Sequence, residues 1–184
     1  MFVQFVDKNG LFLNELCFRG LTFTPYKTKI FSMTIETRLA ELGILLPEAA
    51  APVAAYAPTV LAGNLLHISG QLPFLEGQLM TGRLGEDRDE AYGFRAAERC
   101  AIMLMAQMKA ALTSLDRVEK IIKLNAFVNS APSFTRQAQV VNGASELLAK
   151  VFGDAGVHAR SAVGVAVLPL NAPVEIDAVV AVRP

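Results

Sequence analysis

Arg160 is the side chain whose type and setting could most plainly do chemistry. It lies early in His158-Ala159-Arg160-Ser161-Ala162-Val163-Gly164-Val165-Ala166-Val167-Leu168-Pro169, whose alternation predicts a strand. On such a strand Arg160, Ala162, Gly164 and Ala166 share one face, and Ser161, Val163, Val165 and Val167 share the other. A guanidinium at the end of an alanine and glycine strip offers a planar fork of donors beside open volume, which suits a small carboxylate. A second run, Val174 to Val182, directs Val174, Ile176, Ala178, Val180 and Val182 inward and turns Glu175 and Asp177 outward. Taken singly, an edge arginine and an outward glutamate are more often plain solvated charges.

The elements that must position these groups come upstream. Val60 to Ala62 and Leu65 to Gly70 read as paired strands turned at Gly63-Asn64, and Ser69-Gly70-Gln71 ends the second where a bare glycine lets backbone approach a ligand closely. Asp89 to Thr113 and Phe134 to Phe152 carry helical periodicity, and a strand from Val118 to Val128 lies between them. A short helix is capped by Thr34 and stopped at Gly43. The polar stretch from Gly77 to Asp89 reads as a surface loop. Strand, strand, helix, strand, helix, strand, strand predicts an α+β fold, a mixed sheet with two main helices on one face. Residues 1–32 differ, with Phe2, Phe5, Phe12, Phe18, Phe23 and Phe31 around an Asn9-Gly10 turn signal. We read them as a hairpin extension outside a core domain of residues 33–184, with Met33 as its natural start.

Composition narrows the function. Among 184 residues Lys plus Arg equals Asp plus Glu, so no charged footprint favours nucleic acid or an anionic membrane surface. Hydrophobic residues make up 53%, yet no apolar run approaches the roughly 20 residues that span a bilayer. That excess predicts surface buried between copies of the chain. Cys17 and Cys100, without a CxxC pattern, read as free thiols of a reducing compartment, hence a cytoplasmic protein. His67 and His158 are the two histidines, with no acid or thiol cluster beside them, and no metal site is expected.

Arg160-Ser161, the valine strand, Leu168-Pro169 and Val174-Glu175-Ile176-Asp177-Ala178 together resemble the signature of the Rid family of reactive intermediate deaminases, also called YjgF or L-PSP endoribonuclease-like. Ala57 to Val60, Asn64-Leu65 and Ile68-Ser69-Gly70-Gln71-Leu72-Pro73 are similar to that family's first hairpin, so the resemblance spans about residues 50 to 183. It implies a chorismate-mutase-like fold and a homotrimer with ligand clefts between subunits. It also implies hydrolysis of a small enamine or imine carboxylate to a 2-keto acid and ammonia, with no cofactor. By the same resemblance Arg160 holds the substrate carboxylate, Glu175 positions or deprotonates water, and backbone at Gly70 and Ala162 fixes the ligand. Ser69 lies in the matching run, while Tyr56 and Asn142 occupy ligand-proximal positions.

Three positions depart from the family. Ala162 stands where many members have cysteine, Gly164 where they commonly have glutamate, and His158 where a proline often precedes Ala-Arg-Ser. The first two enlarge the expected pocket, which predicts a substrate bulkier than the three-carbon imine. A hairpin turned at Leu170 to Ala172 would hold Arg160 and Glu175 about 20 Å apart. A site using both then needs a bend, a bulge, another register or a second chain. The rival functions are carboxylate binding without turnover and, third, endoribonuclease activity.

Overall fold

In the computed structural model the described residues are Val3–Val6, Phe12–Glu15, 34–50 and 55–184. The chain divides into two compact units, Met1–Ser32 and Met33–Pro184. In the first, strand β1 (Val3–Val6) pairs antiparallel with β2 (Phe12–Glu15). Asn9-Gly10 and the phenylalanine side chains of this segment lie outside the described residues.

The second unit is built on a five-stranded sheet of β3 (Thr59–Ala62), β4 (Leu65–Gln71), β7 (Val118–Asn129), β8 (Ala159–Val165) and β9 (Val174–Val182). A short hairpin of β5 (Phe74–Leu75) and β6 (Gln78–Leu79) follows β4 as a separate two-stranded sheet. The strand order is β3-β4-β9-β7-β8, antiparallel throughout except for the parallel β7–β8 pair. Val174, Ile176, Ala178 and Val180 are fully or almost fully buried, as are Leu66, Ile68, Leu124 and Val128 on the same face. Helices α2 (Glu90–Leu112) and α3 (Gln137–Phe152) cover that face and bury Leu104, Met105, Met108, Val140, Val141 and Leu148 against it. The fold is therefore α+β, a mixed sheet with two long helices on one side and the short α1 (Ile35–Glu41) as a third.

Local chemistry explains the boundaries. Thr34 caps α1 by accepting the Thr37 N–H at 3.1 Å, and Asp89 caps α2 by accepting the Tyr92 N–H at 2.8 Å. Glu36 then ties α1 to the body of the domain, accepting from Lys109 Nζ at 2.5 Å and the Leu115 N–H at 3.0 Å. Gly143 lets α3 approach α2 closely, since a Cβ there would lie 2.2 Å from the Phe94 carbonyl oxygen.

Two expectations change. The last two strands are not a hairpin, because β7 lies between β8 and β9. Their connection, Leu168 to Pro173, passes through a 3₁₀ turn with Leu170 and Asn171 at φ 54° and 58°, which carries the chain past β7. Hydrophobicity decides the order: β9, buried almost residue by residue, takes the centre, while the small, more exposed β8 takes the edge. The stretch from Gly77 to Asp89 is also more than a surface loop. Leu84 is fully buried, and its N–H and carbonyl bond Asn129 and Ala131.

Candidate functional site

On the face of the sheet away from the helices, a bulge between Ile68 and Gln71 presents Gly70 to β9. A buried amide chain holds that bulge. Gln71 Nε2 donates to the Ser69 and Gly70 carbonyls at 2.9 and 3.2 Å, and Gln107 Nε2 of α2 donates to Gln71 Oε1 at 3.4 Å and to the Ala50 carbonyl at 2.8 Å. Ser69 Oγ donates to the Ala57 carbonyl at 2.8 Å, securing the segment that carries the half-exposed Tyr56. The space that a side chain at Gly70 would fill is taken by Glu175, whose Oε1 would lie 2.0 Å from a Cβ there. The Glu175 carboxylate is half-buried and makes no side-chain hydrogen bond or ion pair among the described residues. Burial first, and the nearby Asp177 carboxylate second, push its pKa above the ordinary carboxylate value. Asp177 itself accepts from Asn125 Nδ2 at 2.8 Å.

Arg160 lies on the other face. It registers with Leu124 and turns toward α3, whereas Glu175 registers with Phe127 on the open side. Its Nη2 donates to the Ala138 carbonyl at 2.9 Å and to Asn142 Oδ1 at 2.8 Å, and its Nη1 donates to Ser145 Oγ at 2.8 Å. The three acceptors sit at helical positions i, i+4 and i+7, one stripe of α3. No carboxylate pairs with this guanidinium among the described residues. Each forked edge of a guanidinium includes Nη2, and both Nη2 hydrogens are engaged, so an incoming carboxylate meets single N–H groups unless the Asn142 amide gives way. With Oδ1 committed to Arg160, the Asn142 NH₂ is left as a further donor.

The expected residues thus fall into two groups. Tyr56, Ser69, Gly70 and Glu175 assemble around the β4–β9 bulge, while Arg160, Asn142 and Ala162 assemble at β8 and α3. Registers place the Arg160 and Glu175 Cα atoms about 14 Å apart, three residues along and two strands across, closer than a hairpin would allow but on opposite faces. The open strip that the sequence leads one to expect beside Arg160 is present only in part, with Gly164 and Ala166 exposed. Ala162 packs on the core, and a Cβ on Gly164 would meet Ser130 Oγ at 2.8 Å and Gln137 Nε2 at 3.0 Å. The space that a side chain at Gly164 would fill is thus taken by Ser130 and Gln137 of the same chain. Among the described residues no group of three or more His, Cys, Asp and Glu could hold a metal ion, and no helix is long and apolar enough to cross a membrane.

Residues 36–180 match the family described as "YjgF/chorismate_mutase-like, putative endoribonuclease". The chain belongs to this family. Within the YjgF/chorismate mutase-like proteins it is 52% identical over 153 residues to protein TCP17 of Trypanosoma cruzi, covering 82% of this chain and 96% of that one. It is 28% identical over 140 residues to the 2-iminobutanoate/2-iminopropanoate deaminase of Dermatophagoides farinae, covering 74% and 93%. Among solved structures, protein Atu1372 of Agrobacterium tumefaciens, of unknown function, superposes with a TM-score of 0.76 at 52% identity, covering 81% of this chain and 92% of that one.

Sequence reasoning missed Ser145, Gln107 and Asp177 as members of these clusters. Ser145 follows Asn142 by three residues, and that helical spacing was the signal that could have found it. Gln107, a buried amide in an otherwise apolar helix face, gave a similar hint.

Proposed function

We propose that the protein hydrolyses a small enamine or imine carboxylate to a 2-keto acid and ammonia, in clefts completed by two copies of the chain. The observation that carries this reading is Glu175, a half-buried carboxylate with a raised pKa, seated on the bare backbone of Gly70 and without a side-chain partner of its own. A carboxylate so raised is a stronger base than an exposed one and is suited to take a proton from water. The family relationship and the printed activity of the Dermatophagoides farinae relative supply the reaction class.

Arg160 and the Asn142 amide would hold the substrate carboxylate by charge-assisted hydrogen bonds. Glu175 would accept a proton as water oxygen adds to the imine carbon. Glu175 returns that proton to nitrogen to give a carbinolamine. As its C–N bond breaks, the hydroxyl proton passes by way of the same carboxylate to the departing nitrogen, so that the C=O bond forms and ammonia leaves. Tyr56 and the backbone at Gly70 would close one wall, and Ala162 the other. Because Arg160 and Glu175 occupy opposite faces of one sheet, a substrate touching both requires Arg160 from one protomer and Glu175 from its partner. A homotrimer satisfies that requirement with three equivalent clefts.

Mixing separates this reading from its rivals. Arg160→Ala and Glu175→Ala should each abolish imine hydrolysis alone. Co-assembled from equal amounts, they should regain roughly a quarter of the wild-type clefts if assembly is random. No recovery from verified mixed oligomers would refute the shared cleft. Stable 2-keto acid binding by a wild type that releases no ammonia from freshly generated imine would favour a binding protein instead.

A further inference from the structure

We infer that Ser145 and His158 are positioning residues, a hydrogen-bonded relay that aims the Arg160 guanidinium at the substrate carboxylate; this rests on the deaminase reading above. His158 Nδ1 lies 2.6 Å from the Gly156 carbonyl oxygen, His158 Nε2 lies 3.0 Å from Ser145 Oγ, and Arg160 Nη1 lies 2.8 Å from the same Oγ. The directions of these bonds follow from donor chemistry. A carbonyl only accepts, so Nδ1 carries the proton, and in the neutral ring Nε2 is left as an acceptor. Ser145 therefore gives its hydrogen to Nε2 and turns a lone pair to Arg160, which can only donate.

Each link leaves the next with one orientation. Without the imidazole, the Ser145 hydroxyl would be free to turn its hydrogen toward its own helix, as serine in a helix does with the carbonyl four residues back. Its lone pairs would no longer be held on the guanidinium. Arg160 would keep the Ala138 and Asn142 acceptors, both on Nη2, and could pivot about them. The relay thus fixes the one coordinate that those two bonds leave loose. Its neutral state is favoured by the surroundings, since burial, and to a lesser degree the Arg160 and Lys120 charges, lower the His158 pKa against the opposing pull of the Gly156 carbonyl. Proline, common in the family before Ala-Arg-Ser, could not make this bond, so the relay replaces a stiff backbone with an oriented side chain.

The test uses the full-length oligomer. Wild type, Ser145→Ala, Ser145→Thr, His158→Phe and His158→Gln are compared for imine hydrolysis, with assembly and thermal melting checked for each. Ser145→Ala and His158→Phe should raise KM about three- to tenfold with kcat nearly unchanged, and Ser145→Thr, which keeps the hydroxyl, should restore most of the loss. An activity-independent readout comes from imidazole nitrogen spectra, which are simple because the chain has two histidines. They should show the Nδ1–H tautomer at His158 in wild type. Unchanged KM in either Ser145→Ala or His158→Phe, or an Nε2–H tautomer in wild type, overturns the relay while leaving the deaminase reading intact. His158→Gln, whose amide can both accept from Ser145 and donate to Gly156, should lose less than His158→Phe. A wild type that neither hydrolyses imine nor binds a 2-keto acid refutes both.

Discussion

Gly70→Ala is the sharpest test of the half-site around Glu175, because the effect can be worked from one contact. A methyl group at position 70 would lie 2.0 Å from Glu175 Oε1 and 2.9 Å from its Cδ. Restoring the ordinary 3.4 Å contact moves the oxygen by about 1.4 Å in the direct line. Gly70 is not among the residues with left-handed φ, so alanine can adopt its backbone, and losing unfolded-state freedom contributes about 0.4–1 kcal/mol toward stability. The clash falls on the far end of a flexible side chain rather than on backbone, so the chain folds and the carboxylate moves. A displacement above 1 Å at a general base is expected to lower kcat roughly 100-fold. The assay is ammonia release from freshly generated imine, alongside thermal melting and assembly, in a cycle with Glu175→Ala. Because Glu175→Ala removes the obstructing carboxylate, adding Gly70→Ala to it should cost no stability in thermal melting. Wild-type kcat in folded Gly70→Ala, or a loss of melting temperature when Gly70→Ala is added to Glu175→Ala, would refute the claim that this glycine exists to seat Glu175.

Four further outcomes follow from the same structure. Arg160→Lys keeps the charge but cannot donate to Ala138, Asn142 and Ser145 together, so 2-keto acid affinity measured by calorimetry should fall roughly ten- to a hundredfold while the oligomer persists. With Glu175 as the proposed base, imine hydrolysis should rise with pH through a midpoint above the ordinary carboxylate value, since a base acts only when ionised and burial raises its folded pKa. For stability the same shift has the opposite sense: the folded state holds the proton more tightly, so stability falls as pH rises through the raised pKa. Glu175→Gln should therefore melt above wild type at neutral pH and match it in acid. Gly143→Ala, whose methyl would lie 2.2 Å from the Phe94 carbonyl oxygen, should force α2 and α3 apart and cost about 1–3 kcal/mol in denaturant titration.

What the sequence could and could not reveal divides along a physical line. Alternation and capping are local, so the five strands of the main sheet, α2, and the short helix behind Thr34 were legible to within a few residues. Strand order is not local. The alternation of Ser161 to Val167 predicts a strand but not its neighbour, and a proline-containing turn before Val174 is compatible with either a hairpin or the passage over β7 that occurs. The strip beside Arg160 was legible only in part for the same reason: small residues on a strand face leave room, but only tertiary packing decides what fills it, and at Gly164 Ser130 and Gln137 do while Ala166 stays exposed. At Gly70, read from sequence as a place where backbone approaches a ligand, the group that approaches from this chain is the Glu175 carboxylate. This asymmetry bears on substrate size. Because Gly164 is backed by Gln137 rather than by open space, a preference for imines beyond three carbons has to come from the Tyr56 and Gly70 wall. Tyr56→Ala should then broaden chain-length tolerance, whereas enlarging the Gly164 side by Gln137→Ala should leave the kcat/KM ratio between long and short imines unchanged; a shift produced by Gln137→Ala alone would return the specificity pocket to β8.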